Sequence, residues 1–92
     1  MTQLTDAEVA EELTRLPEWR LVGAEIVRDL TFADFNAAMA FVNRVAEKAE
    51  SAGHHPDIDI RWNRVKLALV SHDAGGLTDR DFELALDIDS LA

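Results

Sequence analysis

The chain contains no cysteine, so no disulfide can brace it and no thiolate is available as a nucleophile or a zinc ligand. That composition suits a reducing compartment. No stretch approaches the roughly 20 apolar residues of a membrane-spanning helix. The opening Met1-Thr2-Gln3-Leu4-Thr5-Asp6 has neither the basic segment nor the apolar run of an export signal. The reading is a cytoplasmic protein with no membrane association. Positive charge is also scarce: 9 Lys and Arg stand against 18 Asp and Glu, a formal net charge of −9. Such a surface repels phosphate backbones, which argues against direct nucleic-acid binding. Glycine is sparse, and Gly75-Gly76 lacks the spacing of a P-loop or dinucleotide fingerprint. Nothing points to a nucleotide cofactor. Internal repeats, low-complexity tracts and linkers are absent, and the expectation is a single domain over residues 1–92.

What is present is the balance of a folded globule, 48% hydrophobic and 29% charged residues. Thr5-Asp6-Ala7-Glu8 has the form of a capping box and predicts a short helix to about Leu16, since Pro17 cannot continue it. Trp19 and Leu21, then Ile26, Leu30 and Phe32, form two runs separated by Gly23, as two strands and a turn would. Phe35, Ala38, Met39, Val42, Val45, Ala46 and Ala49 recur at helical steps between Asp34 and Gly53. They predict one long helix whose apolar stripe, with Phe41, packs a core.

After Pro56 the period becomes two: Ile58, Ile60 and Trp62 alternate with Asp57, Asp59 and Arg61, and Val65, Leu67 and Leu69 follow in a second strand. Thr78-Asp79-Arg80-Asp81 caps a last helix carrying Phe82, Ala85, Leu86 and Ile88. The order is α-β-β-α-β-β-α. The expected architecture is α+β, a two-layer sandwich of a four-stranded, largely antiparallel sheet with three helices on one face.

All three histidines, His54, His55 and His72, flank the last hairpin. A two-residue Asn63-Arg64 turn would set Trp62 opposite Val65 and, counting outward, Asp57 opposite Val70 and His55 opposite His72. A change in loop length would alter these pairs, whereas the proximity of the imidazoles survives. Histidines suit proton transfer near neutral pH; a solvated or carbonyl-bound imidazole at a sheet edge is the plainer alternative. Asp57, Asp59, Asp73 and Asp81 are carboxylates able to orient an imidazole, with turn, solvated or, for Asp81, capping roles as alternatives. Adjacent His54 and His55 project to opposite sides of an extended strand, and the His-x-x-x-His spacing of helical zinc sites is missing, so no metal is expected.

Glu47-Lys48, His54-His55-Pro56, Trp62, His72 and Asp81 stand at the intervals of a known signature. In these residues the chain resembles the pterin-4a-carbinolamine dehydratases, whose mammalian member doubles as a dimerisation cofactor of a homeodomain transcription factor. Phe32-Ala33-Asp34-Phe35 and the run Ser71 to Thr78 extend the likeness to roughly residues 4 to 90. The resemblance implies a homodimer, or a homotetramer made of two dimers, and a cofactor-free reaction. Its substrate is the 4a-hydroxy-tetrahydropterin left by an aromatic amino acid hydroxylase, and its products are quinonoid dihydropterin and water, as in tetrahydrobiopterin recycling. It further implies that His54 and His72 are the acid and base in unassigned order, that His55 lines the pterin pocket and assists, and that Asp81 holds His72 or the substrate. Glu50, Pro56, Asp57, Trp62, Ser71 and Asp73 join His55 as substrate-binding candidates, although parity with Ile58 and Ile60 makes core packing the first reading of Trp62. The imidazoles are expected to converge around a hollow wide enough for a bicyclic ring. The alternative is a non-catalytic protein-binding module on the same fold, a transcriptional coactivator or assembly factor.

Overall fold

A computed structural model describes residues 2–92. Its elements are α1 (Asp6–Leu13), β1 (Arg20–Val22), β2 (Glu25–Thr31), α2 (Phe35–Ala52), β3 (Asp57–Arg61), β4 (Arg64–Leu69), a 3-10 turn (His72–Ala74) and α3 (Asp79–Asp89). The α+β class and the element order agree with the sequence reading. The strands form one antiparallel sheet in the order β1-β2-β4-β3.

The capping box of α1 closes as predicted, with Glu8 N–H donating to Thr5 Oγ1 and Thr5 N–H to Glu8 Oε1. The helix stops at Leu13, short of the expected Leu16. Pro17 disfavours helical backbone at Leu16, and successive turns (Leu16 N–H to Leu13 O, Trp19 N–H to Leu16 O) carry Leu16 and Trp19 into the core instead.

Helix α2 starts where Asp34 Oδ1 accepts the Ala37 N–H at 2.8 Å and ends at Gly53, whose φ of 64° is the left-handed cap that favours glycine. Its buried stripe is Ala38, Phe41, Val42, Val45 and Ala49. Phe35 and Ala46, assigned to that stripe from spacing, lie exposed. In α3 the buried residues include Phe82, Leu84, Ala85 and Ile88, while the expected core residue Leu86 is exposed.

On the sheet, Ile26, Leu30, Ile60, Val65, Leu67 and Leu69 share the face that meets the helices in a common apolar cluster. The other face carries Arg20, Asp29, Asp59, Arg61, Arg64 and Lys66. Asp89 at the end of α3 ties the layers together: one carboxylate oxygen accepts from Trp19 Nε1 at 2.8 Å and from an Arg28 guanidinium nitrogen at 2.5 Å.

The β3–β4 register differs from the sequence reading. Ile60 pairs with Val65, Arg61 with Arg64 and Asp57 with Ala68, so the turn is Trp62-Asn63 rather than Asn63-Arg64. Each partner moves by two residues, which leaves every side chain on the same face; alternation therefore cannot distinguish the two registers. Asn63 anchors the observed one, its carbonyl accepting from Phe32 N–H and its side-chain amide donating to Phe32 O, both at 2.8 Å. Trp62 is consequently not a core residue. It sits in the turn with φ 53° and 65% exposed.

Candidate functional site

The left-handed turn at Gly53 reverses the chain so that His54 N–H bonds back to Ala49 O and its side chain goes inward, leaving the residue 8% exposed. Its Nε2 lies 2.5 Å from Asp81 Oδ1. Asp81 is fully buried in the first turn of α3, where the positive end of the helix dipole favours a carboxylate. Its second oxygen, Oδ2, accepts from Ser71 Oγ and from the Thr78 backbone N–H, each at 2.9 Å. Ser71 Oγ also lies 2.8 Å from Thr78 Oγ1.

Ser71 and Thr78 are brought together by the β4–α3 connection, which closes on itself through paired backbone hydrogen bonds between Ser71 and Gly76 (3.1 and 3.2 Å). Three pieces of chain thus meet at one carboxylate: the end of α2, the loop after β4 and the start of α3.

The other histidines flank this buried group. His55 follows His54 and pairs its Nε2 with Glu50 Oε1 at 2.6 Å; the two side chains are 61% and 79% exposed. His72 follows Ser71 and is exposed at the start of the 3-10 turn. Asp73 beside it accepts from Arg80 at 2.7 Å. Pro56 is half-buried, and Asp57 is exposed where β3 begins.

Several sequence-derived pairings are corrected by this geometry. His55 and His72 are not cross-strand partners, because β3 begins only at Asp57 and β4 ends at Leu69. Asp81 bonds His54 rather than His72. Trp62 stands at the far end of the hairpin, about 16 Å from Asp57 at roughly 3.3 Å per residue, with all of β3 between it and His55. Ser71 has no exposed surface. Thr78, read from sequence only as a helix cap, belongs to the buried network; the capping-box spacing from Thr78 to Asp81 was its one signal.

Among the described residues, the hollow expected around the imidazoles is not one of the four main concave regions of the surface, none of which is lined by a histidine, and His55 and His72 lie exposed. One such region, of about 370 Å³, lies on the outer face of the sheet, bordered by Asp29, Asp59, Arg61, Arg64 and Lys66. Among the described residues no three His, Asp or Glu side chains are arranged to hold a metal ion. What the site presents is one buried imidazole held by a carboxylate beside two exposed ones, a set able to take up a proton at one place and deliver one at another.

Comparison with known proteins bears on this arrangement. The family model described as pterin 4 alpha carbinolamine dehydratase matches residues 2–91. A protein of Acidobacterium capsulatum provisionally named pterin-4-alpha-carbinolamine dehydratase is 66% identical over 91 residues, covering 99% of each chain. One of Chloroflexus aurantiacus with the same provisional name is 59% identical over 91 residues, covering 99% of this chain and 98% of its own. The crystal structure of a transcriptional coactivator/pterin dehydratase from Brucella melitensis superposes with a TM-score of 0.95 at 33% identity, covering 99% of both chains. A pterin dehydratase-like RuBisCO assembly factor of the alpha-carboxysome shares the fold at a TM-score of 0.69 and 24% identity, over 82% of this chain and 89% of its own.

Proposed function

Because the chain belongs to the pterin 4 alpha carbinolamine dehydratase family, we propose that it dehydrates 4a-hydroxy-tetrahydropterin to quinonoid dihydropterin and water. The reaction removes the proton on N5 and the hydroxyl on C4a, and the C4a–N5 single bond becomes double. A base must accept the N5 proton while an acid protonates the departing oxygen, since hydroxide is a poor leaving group near neutral pH. His54 and His72 supply the two imidazoles, with His55 and Glu50 at the pterin side. Asp73, Asp57 and Pro56 shape the approach.

The observation that carries this reading is the 2.5 Å contact between His54 and the buried Asp81. Burying a carboxylate against an imidazole is expensive, and it is understandable where the imidazole must keep one orientation during proton transfer. The reading brings with it a one-domain, cytoplasmic homodimer or homotetramer acting in tetrahydropterin recycling after an aromatic hydroxylase.

The relative from Brucella melitensis, a transcriptional coactivator/pterin dehydratase, favours a second reading, a protein-binding module. Stopped-flow absorbance with chemically generated 4a-hydroxy-tetrahydropterin separates the two. An enzyme accelerates loss of the carbinolamine in proportion to protein concentration; a pure binding module leaves the spontaneous rate unchanged.

A further inference from the structure

The directions of the hydrogen bonds around Asp81 determine which nitrogen of His54 is chemically available. Oδ2 accepts both from the Thr78 N–H and from the Ser71 hydroxyl. Ser71 has a single hydroxyl hydrogen and directs it to Asp81, so the 2.8 Å contact with Thr78 Oγ1 requires the Thr78 hydroxyl to donate. Thr78, Ser71 and Asp81 therefore form a one-way donor chain. The carboxylate that ends it has only acceptor capacity left for its last partner, and His54 must donate through Nε2–H. A neutral imidazole carries one N–H, which leaves the lone pair on Nδ1.

We propose that the Asp81 carboxylate sets His54 in its Nε2–H tautomer, so that Nδ1 is the atom that accepts the N5 proton, and that Ser71 and Thr78 are positioning residues that hold this carboxylate toward the ring. Ser71, a substrate-binding candidate from sequence, acts through Asp81 and does not touch the pterin, in keeping with its complete burial. The proton bookkeeping follows. His54 becomes an imidazolium whose added proton sits on Nδ1, and Asp81 neutralises the charge without accepting a proton. The exposed His72, in its protonated form, gives its proton to the C4a oxygen, which leaves as water; exchange with solvent restores both rings. The proton-transfer half of this inference rests on the dehydratase reading. The tautomer does not.

The test is the ¹⁵N NMR spectrum of the labelled full-length protein, without substrate, about two pH units above the usual imidazole pKa of ~6.5. His54 is expected to show a protonated Nε2 and an unprotonated Nδ1; the opposite tautomer overturns the proposal. In Ser71→Ala and Thr78→Val the Asp81 carboxylate can still only accept, so the Nε2–H tautomer is expected to persist, while loss of the orienting bond lowers kcat by about 10-fold or more, with KM little changed. Ser71→Thr restores kcat. A rise in KM at unchanged kcat in Ser71→Ala would place Ser71 against the substrate and reject its positioning role. If these variants do not fold, the wild-type spectrum decides the tautomer by itself. An inactive wild type with the Nε2–H tautomer would refute the dehydratase reading while supporting the tautomer assignment.

Discussion

Asp81 accepts three hydrogen bonds and offers none, which makes the identity of its side chain more demanding than its size. In Asp81→Asn, the amide oxygen is expected to keep the Ser71 and Thr78 donors, turning the NH2 group toward His54. The ring must then accept at Nε2 and carry its hydrogen on Nδ1, where the base is needed. We expect kcat to fall by about 10²- to 10⁴-fold, the range of a lost general base, with an unchanged circular dichroism spectrum. Retention of wild-type kcat would show that Asp81 is only a helix cap. That capping role was legible in the sequence, because Thr78 and Asp81 have local capping-box spacing. The second role was not: His54 lies 27 residues away, and only the packing of the end of α2 against the start of α3 brings it there.

Among the elements, the β3–β4 hairpin shows most clearly where pattern reading stops. Alternation placed Ile58, Ile60, Val65, Leu67 and Leu69 on one face, and the observed pairing agrees with that assignment. The turn escaped because a two-residue offset preserves faces, and because Asn63 is held by Phe32, a long-range partner. Trp62, at φ 53° and largely exposed, bears the cost of the left-handed backbone. Chemical denaturation of Trp62→Gly is therefore expected to give a stability within about 1 kcal/mol of wild type. Trp19→Ala, which empties a core position, is expected to lose about 3–5 kcal/mol. A several-kcal/mol loss in Trp62→Gly would contradict the exposed turn position. Asp89→Ala, which deprives Trp19 and Arg28 of their shared acceptor, is expected to cost about 2 kcal/mol in the same measurement.

For the whole molecule, class and element order were readable because each element declares its own period and caps: Thr5, Asp34 and Thr78 start helices, and Gly53 ends one. The exposure of His55 and His72 was not readable, since it depends on how distant parts of the chain pack rather than on local pattern. The exposed Leu21, Val22 and Ile58 on the two edge strands support the oligomeric part of the proposal. The net charge of −9 is a property of the entire surface and has its own consequence. Acidic self-repulsion opposes the compact state and is screened by salt, so Tm is expected to rise when NaCl is increased from about 0.01 M to about 0.2 M; a fall in Tm would contradict it.

The central claim is that two imidazoles, His54 and His72, share the work of one elimination. It is tested most directly by stopped-flow dehydration of 4a-hydroxy-tetrahydropterin with the His54→Ala/His72→Ala double variant beside the wild type. The account predicts a rapid, protein-dependent reaction for wild type and a rate close to the spontaneous one for a folded double variant. Undiminished turnover by that variant would contradict it.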